Sequence, residues 1–277
     1  MITNRLIATL LVYNGVVVQT KKFKPTNFVG NAFTAVDFFN SWAVDEICIL
    51  EISNDLSYLD NFVDIIEELS KRCFVPLTVG GKIRSVDDAH KYLRAGADKV
   101  IVNSGAFENK DLIKQLSDKY GSQCITLSVD AIEDKKKDSG YKVMINNGKK
   151  DTDLDLLKWI NDGIKKGSGE IFLNSINYDG NKKGYDLKLI ELVSKKTNVP
   201  VIAMGGVGEW QHLVDGIKKG KAQSVAAGNI FHYSEHSTRK AKEYMISSGI
   251  QMRPIYFYHL NSPRKIKYRT NTFSNND

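Results

Sequence analysis

The feature that most constrains this chain is a regular alternation of short apolar runs with amphipathic segments. Each run has seven or eight residues, and the segments between the runs carry apolar residues at helical spacing. Near-continuous apolar strands that alternate with helices are typical of a parallel sheet buried on both faces. The eight runs are residues 6–12, 46–52, 75–81, 99–105, 124–131, 170–176, 200–206 and 224–230.

The second half of the chain repeats the first at an offset of 124 or 125 residues. The matched pairs are EICILEISND (46–55) with EIFLNSINYDG (170–180), VPLTVGG (75–81) with VPVIAMGG (199–206), and KVIVNSGAF (99–107) with SVAAGNIFH (224–232). Three matches in one order predict two half-barrels, neither of which can close its sheet alone. The sequence therefore predicts a (β/α)8 TIM barrel over residues 1–250. A doubly wound sheet is the alternative, but it rarely needs eight short units of equal length.

Composition restricts the class of function. The net charge is +7, but the basic residues cluster locally and no recognition motif accompanies them, so nucleic-acid binding is not expected. No apolar run reaches the ~18 residues of a membrane span, and the apolar start lacks a small-residue cleavage site. Cys48, Cys73 and Cys124 are too scattered for a disulfide framework or a zinc site and suit a reducing compartment. We expect a cytoplasmic protein without metal or cofactor.

Glycines paired with small polar residues follow several strands, at the end of a (β/α)8 barrel where active sites lie. Such glycines let backbone N–H groups approach an anion. Two phosphate positions related by the repeat are predicted: Gly206, Gly228 and Asn229 after strands seven and eight, and Gly81, Lys82, Asn103 and Ser104 after strands three and four. Asn177, Asp179 and Gly180 follow strand six as further candidate ligands. The alternative is that these glycines only make tight turns.

Asp130 ends the fifth predicted strand, in LSVDA (127–131). A carboxylate at this place can act as a general acid or base. A capping or loop-ordering aspartate is equally common there.

Several segments together resemble a known family. They are PLTVGGKIR (76–84), LSVDA (127–131), SINYDGNKKGYD (175–186) and VIAMGGVG (201–208). Over roughly residues 1–250 the chain resembles the cyclase subunit of imidazole glycerol phosphate synthase, the HisF family. The resemblance implies a (β/α)8 barrel paired with a HisH-like glutaminase, whose ammonia travels through the barrel to a bis-phosphorylated substrate. It also implies catalytic aspartates at the ends of strands one and five.

The active-site face departs from the family pattern at strand one. Asp130 matches the strand-five aspartate, but the strand-one aspartate falls at Leu11, where the family reads CLDVKDG and this chain reads TLLVYNG. Leucine cannot transfer a proton, and loss of a positioned acid–base group typically costs about 10²–10⁴ in rate. Lys82 also stands where the family has a third glycine. The resemblance therefore implies an altered cyclase site.

The opposite face keeps the family pattern. The charged gate of the family maps to Arg5, Glu46, Lys99 and Glu170, and Asp98 matches a residue at the glutaminase interface. Charges near a barrel mouth cost desolvation unless they are paired, and two cations with two anions can pair internally. The resemblance therefore implies a retained ammonia inlet.

Three functions fit a retained inlet with an altered cyclase site. The first is a HisF-like synthase subunit that uses glutaminase-derived ammonia to amidate or amidinate a surface-polysaccharide sugar, with an ATP-dependent sugar amidotransferase as a further partner. The second is an authentic imidazole glycerol phosphate synthase cyclase subunit in histidine biosynthesis. The third is a non-catalytic ammonia conduit that activates its glutaminase. Leu11 favours the first, on family analogy.

Residues 251–277 extend past the usual end of the family and are basic and aromatic. One interpretation is a docking arm for a third protein, anchored by Tyr256, Phe257 and Tyr258. The other is a strap over the barrel with a disordered end.

Overall fold

The computed structural model describes residues 3–41, 43–53, 59–232 and 236–255. In these ranges the strands are β1 (Arg5–Tyr13), β2 (Val16–Lys21), β3 (Lys24–Gly30), β4 (Glu46–Glu51), β5 (Leu77–Gly80), β6 (Lys99–Val102), β7 (Ile125–Glu133), β8 (Tyr141–Ile145), β9 (Lys150–Asp155), β10 (Glu170–Ser175), β11 (Val201–Met204) and β12 (Ser224–Ala227). The helices are α1 (Ala32–Ser41), α2 (Leu59–Ser70), α3 (Val86–Arg94), α4 (Ser104–Glu108), α5 (Leu112–Tyr120), α6 (Leu156–Lys165), α7 (Leu187–Lys196), α8 (Trp210–Lys218) and α9 (Ser237–Ser247).

Eight of the strands form a closed parallel barrel. The order runs from β1 through β4, β5, β6, β7, β10, β11 and β12, and β12 pairs back with β1. Each apolar run of the sequence lies on one of these strands, because strands covered by helices on one side and by the barrel interior on the other need apolar residues on both faces. The predicted (β/α)8 barrel is confirmed.

Each half of the barrel begins with a long strand that continues into an antiparallel hairpin. β1 and β7 have nine residues each. β2 and β3 extend the sheet from β1, and β8 and β9 extend it from β7. The two hairpins occupy equivalent places in the two half-barrels, so they extend the repeat beyond what the matched segments indicate. Both hairpins lie at the carboxyl ends of the barrel strands.

The register of the strands sorts the barrel interior into levels. Arg5, Ile7, Thr9 and Leu11 alternate along β1 and face inward, whereas the residues between them belong to the core under the helices. A separate apolar cluster fills the middle of the barrel and comprises Ile7, Cys48, Ile101, Phe172, Ile202, Met204 and Ala226. Charged residues lie between this cluster and the amino-terminal ends of the strands, and a cavity lies between the cluster and the carboxyl ends.

A buried ion-pair cluster ties the end of the described chain to the amino-terminal ends of the strands. Lys242, fully buried on α9, contacts Asp45 Oδ1 at 2.5 Å, and Arg253 Nε lies 3.4 Å from the same oxygen. Asp45 Oδ2 also accepts a hydrogen bond from the Leu6 backbone N–H. A bridge between Asn4 and Met252 lies beside this cluster. We call Asp45, Lys242 and Arg253 the C-terminal clasp.

Replacing Asp45 with alanine leaves the Lys242 ammonium buried without its carboxylate. Removing one partner of a buried ion pair typically costs about 3–5 kcal/mol. We expect urea unfolding to report a loss of that size. The control is Asp118→Ala in the Lys114–Asp118 pair, where we expect a much smaller loss because both side chains are exposed to water. Equal losses in the two variants would mean that the clasp contributes no more than a surface pair.

Within the described residues, no helix combines the length and the apolar character that crossing a bilayer requires. The proposed anchors Tyr256, Phe257 and Tyr258 lie outside the described residues, so the two interpretations of the extension stay predictions. The described part of the extension, up to residue 255, leaves the barrel beside the C-terminal clasp.

Candidate active site

A cavity of about 530 Å³, lined by both polar and apolar side chains, opens at the carboxyl ends of the barrel strands. Residues from both half-barrels line it, and the tip of the hairpin formed by β8 and β9 closes one side. Two hydrogen bonds hold that tip: the Asn147 side chain donates to the Ile52 carbonyl at 2.8 Å, and the Asn146 backbone N–H donates to Ser104 Oγ at 3.0 Å. The cavity is therefore walled by a segment that the apolar periodicity did not indicate.

Asp130 lies in this cavity and is 7% exposed. Burial raises the pKa of its carboxyl to about 7, and the charge of Asp179 acts in the same direction. Asn103 Nδ2 opposes the rise by donating a 2.8 Å hydrogen bond to Asp130 Oδ2. A carboxyl that titrates near neutrality is suited to both acid and base catalysis.

Leu11 lines the same cavity, on the opposite side of the barrel from Asp130 in strand order. Its register partner on β4 is Leu50, which also lines the cavity. Where the resemblance implies a carboxylate, the wall of the cavity is therefore apolar. Asp130 has no acidic partner on strand one.

The first predicted phosphate position is assembled in the cavity. Gly81, Lys82, Asn103 and Ser104 all line it, and the basic side chains of Arg84, Lys149 and Lys150 line it as well. Lys82 adopts φ +60°, a left-handed conformation that suits the glycine that the resemblance implies at this position. A surplus of cations at this side of the cavity favours an anionic substrate group.

The second predicted position forms a smaller recess that shares Leu11, Thr20, Asp179 and Met204 with the main cavity. Its lining includes Gly180, Gly206, Gly228 and Asn229. Two of the predicted polar ligands already hold the hairpin of β2 and β3. Asp179 accepts from Thr20 Oγ1 at 3.1 Å and from the Phe23 backbone N–H at 2.8 Å, and Asn229 donates to the Thr20 carbonyl at 2.9 Å.

Glycine is required at both predicted phosphate positions for a reason that does not depend on a ligand. Gly81 has φ +99°, and a Cβ there would lie 2.2 Å from the Glu51 carbonyl oxygen. Gly206 has φ +101°, and its Cβ would lie 2.1 Å from the Gly184 carbonyl oxygen. Backbone crowding alone therefore requires glycine in both turns, and phosphate binding stays a prediction.

Asn177 does not join the other predicted ligands. Its side chain is exposed, and it lines neither the main cavity nor the recess. The residue lies two positions beyond the end of β10, in the turn that places Asp179 against the hairpin. Proximity in sequence to the strand end was not sufficient to bring it into the site.

At the opposite end of the barrel, Arg5, Glu46, Lys99 and Glu170 form a closed set of ion pairs, which we call the charged ring. Arg5 contacts Glu46 at 2.7 Å and Glu170 at 2.5 Å, and Lys99 contacts Glu46 at 2.9 Å and Glu170 at 2.8 Å. Burial would raise the pKa of Glu170, but Lys99 and Arg5 outweigh it and hold that pKa below its usual range. Thr78 Oγ1 donates a further hydrogen bond to Glu46 at 2.6 Å.

Asp98 lies beside the charged ring but outside it. Its Oδ2 accepts the Leu77 backbone N–H at 2.7 Å and so fixes the start of β5. The predicted role of Asp98 at a glutaminase interface is untested by this contact.

The cavity also holds residues that the sequence patterns did not indicate, among them Glu51, Lys149, Lys150 and Asn174. Lys149 and Lys150 come from the hairpin of β8 and β9. Asn174 could have been found from strand alternation, because Glu170, Phe172 and Asn174 fall on one face of β10. Among the described residues no cluster of His, Cys, Asp or Glu is arranged to hold a metal ion.

A closed parallel barrel with a buried carboxyl in a cavity at the carboxyl ends of its strands is the arrangement found in (β/α)8-barrel enzymes. A family model described as histidine biosynthesis protein matches residues 5–237. The chain is 40% identical over 253 residues to a Vibrio vulnificus protein named "Putative imidazole glycerol phosphate synthase subunit hisF2", covering 91% of this chain and 92% of that protein. It is 38% identical to the HisF subunit of imidazole glycerol phosphate synthase of Natranaerobius thermophilus and 40% identical to that of Clostridium botulinum strain 657, covering 91% of this chain and 100% of each relative. The chain belongs to the HisF family of synthase-type enzymes.

Proposed function

We propose that the chain is the synthase subunit of a glutamine amidotransferase, in which ammonia from a HisH-like glutaminase passes through the barrel and forms a C–N bond in the cavity. The observation that carries the proposal is the placement of the charged ring and Asp130 at opposite ends of one closed barrel. The ring offers paired charges that can part to admit a small polar molecule. Asp130 offers proton transfer where such a molecule would emerge.

The identity of the carbon substrate divides the proposal in two. The names of the relatives support the cyclase reaction of imidazole glycerol phosphate synthase better than they support sugar amidation. Leu11 supports the reaction on a sugar-type substrate, because the cavity lacks the strand-one carboxylate that the family mechanism implies. An ATP-dependent sugar amidotransferase would be a partner only in the second case.

A non-catalytic conduit is the remaining alternative. It requires the charged ring but gives no use to a buried carboxyl whose pKa is about 7. Burial of such a group lowers the stability of the fold at neutral pH, which favours a functional reason for it. The Asp130 arrangement therefore supports an enzyme.

One assay separates these functions. The purified chain is incubated with ammonium and the bis-phosphorylated substrate of the histidine pathway, and formation of imidazole glycerol phosphate is followed. Turnover close to that of a HisF protein with both aspartates, run alongside, supports the cyclase. Absence of product, together with activation of a co-purified glutaminase, supports the sugar-type reaction or the conduit.

The pH dependence of ammonia-driven turnover should follow the ionisation of the Asp130 carboxyl. If its carboxylate accepts a proton from the attacking nitrogen, the rate rises about tenfold per pH unit below the pKa of about 7 and levels off above it. The measurement is kcat/KM between about pH 5 and 9 at a fixed concentration of unprotonated ammonia. A profile without an inflection in that range would remove Asp130 from the rate-limiting proton transfer.

The partner surface should include the charged ring and Asp98, because both lie at the amino-terminal ends of the strands. The C-terminal clasp brings the chain to the same end at residue 253. Cys48, Cys73 and Cys124 are unpaired, which supports our prediction of a reducing, cytoplasmic location.

A further inference from the structure

The cations of the main cavity are gathered on one side of it. Four described side chains supply them, from the turn after β5 and from the hairpin of β8 and β9: Lys82, Arg84, Lys149 and Lys150. The tip of that hairpin is bonded to Ile52 after β4 and to Ser104 after β6, so it lies over the end of β5. Among the described residues, carboxylates balance this charge only in part: Glu51 lines the same side, and Glu108 contacts Arg84 at 3.3 Å. This side of the cavity therefore attracts an anionic group.

The recess on the other side has the opposite electrostatic character. It lies at the ends of β11 and β12, and no lysine, arginine or histidine is among the described residues that line it. Its charged lining residue is Asp179, whose carboxylate accepts hydrogen bonds from Thr20 and from the Phe23 backbone N–H. A phosphate placed in the recess would meet this carboxylate without a cation from the described lining, and like charges repel.

The recess is also too small for a phosphate group. Its volume is about 20 Å³, against about 530 Å³ for the main cavity. A cavity needs about 10–15 Å³ to hold one water molecule, and a phosphate group is several times larger than water. The recess therefore has room for one water molecule.

The β2–β3 hairpin keeps the recess narrow. The Asp179 carbonyl accepts the Lys22 backbone N–H at 3.0 Å, and Asn229 donates to the Thr20 carbonyl at 2.9 Å. A Cβ at Gly180 would lie 2.3 Å from the same Thr20 carbonyl oxygen, so the hairpin and the turn after β10 are in direct backbone contact. Enlarging the recess to admit a phosphate would break these hydrogen bonds, and the cost would weaken the binding of a phosphate there.

Two apolar side chains stand between the recess and the middle of the cavity. Leu11 and Met204 line both spaces, and Met204 also belongs to the apolar cluster of the barrel interior. A charged group loses its hydration against an apolar wall without gaining a partner. The end of a substrate that faces these side chains should therefore be uncharged.

We propose that the carbon substrate of this chain carries a phosphate-type anionic group at one end only. This group binds among the cations of the turn after β5 and of the β8–β9 hairpin, and the uncharged end faces Leu11 and Met204. The proposal rests on the proposed function and selects a substrate class within it. A compound with a phosphate at each end, as in the histidine pathway, finds a place for only one of them.

The direct test compares three ligands by isothermal titration calorimetry without ammonium. They are the bis-phosphorylated substrate of the histidine pathway and the two compounds obtained by removing one phosphate or the other. At least one monophosphate should bind as tightly as the bis-phosphate, within about threefold, because a single phosphate makes all the charged contacts. A HisF protein with both aspartates is the control, and there the bis-phosphate should bind at least about tenfold tighter than either monophosphate. In this chain, a bis-phosphate that binds more than about threefold tighter than both monophosphates, or no binding by any of the three, would overturn the proposal.

Removal of two hairpin cations tests where the phosphate binds. Lys149→Met combined with Lys150→Met should raise the dissociation constant of the tighter monophosphate at least about tenfold, the effect of lost charge-assisted contacts. Both lysines are exposed, so the fold should tolerate the change. The matched control combines Lys114→Met on α5 with Lys158→Met on α6, both exposed, and should leave binding unchanged. A dissociation constant equal to that of the parent in the hairpin variant would contradict the proposal.

These outcomes are separate from the outcome for the proposed function, because the binding experiments need neither ammonia nor a glutaminase. A preference for the bis-phosphate would overturn the inference and support the cyclase reaction within the proposed function. Loss of coupling between glutamine hydrolysis and product in the complex would overturn the proposed function and leave the ligand preference unchanged.

Discussion

Replacing Asp130 with asparagine should slow ammonia-driven product formation by about 10²–10⁴-fold, the usual effect of removing a positioned acid–base group. The amide keeps the shape of the side chain, but it cannot carry the proton. Steady-state kinetics with ammonium as nitrogen donor measures the effect. The control is Asp138→Asn, an exposed aspartate of the β7–β8 turn, which should leave the rate unchanged. Full activity in Asp130→Asn would show that Asp130 does not carry the proton in this reaction.

The same substitution should stabilise the fold at neutral and higher pH. The folded-state pKa of Asp130, about 7, lies above its usual value of 3.8, so the folded protein binds this proton more tightly than the unfolded chain does. The stability from that proton is complete below about pH 4 and is lost as the pH rises through 7. We expect Asp130→Asn to exceed the parent by roughly 2–4 kcal/mol at about pH 8, with a difference that shrinks towards about pH 4. Urea unfolding at both pH values checks this sign.

The barrel could be predicted from sequence because its determinants are local and repeated. Each buried strand needs apolar residues on both faces, and the repeat supplied three such strands in each half at one offset. The hairpins β2–β3 and β8–β9 escaped prediction because their strands leave the barrel. β3 is exposed throughout, and β9 carries mostly polar residues, so neither shows an apolar run.

The charged ring shows how a resemblance and the register combine. Four residues spread from position 5 to position 170 meet because each begins a barrel strand and faces inward. No local pattern marks them, since single charges at strand starts are common at a solvent edge. The resemblance to the family indicated the four positions, and the structure shows that their side chains form ion pairs.

Candidate ligands in turns were harder to predict. Asp179 and Asn229 reach the recess, but their side chains secure the β2–β3 hairpin, which the sequence did not predict. Asn177, in the same turn as Asp179, points outside the cavity altogether. Loop side chains depend on contacts made by distant segments, and sequence order alone does not contain them.

The two ends of the barrel carry different kinds of side chain, so substitutions should act on them in different ways. At the cavity, Leu11 places an apolar side chain where the resemblance implies a carboxylate. At the charged ring, every charge contacts two opposite charges, so any change of sign affects all four residues. Substitution of a ring residue should therefore change stability as well as function, and the same holds at the cavity for the buried Asp130.

Reversing the charge of Lys99 should have the largest combined effect on coupling and stability. Lys99→Glu places three carboxylates around Arg5, and Glu46, 2% exposed, loses one of its two cations. Breaking a buried ion pair in this way typically costs about 3–5 kcal/mol. In the complex with a glutaminase, we expect glutamine-driven product to fall at least about tenfold, the effect of one lost charged contact. Product formation from added ammonium should stay within about threefold, because the cavity is untouched.

The ratio of product formed to glutamine hydrolysed is the decisive measurement. Lys114→Glu, on the exposed face of α5, is the control for a charge reversal that breaks only a surface pair. Lys99→Met keeps much of the apolar stem and removes the charge, so it reports on coupling if Lys99→Glu proves too unstable to purify. A product-to-glutamine ratio equal to that of the parent in Lys99→Met would exclude the charged ring as the ammonia inlet, because a path through it cannot be indifferent to the loss of the cation that holds both glutamates together.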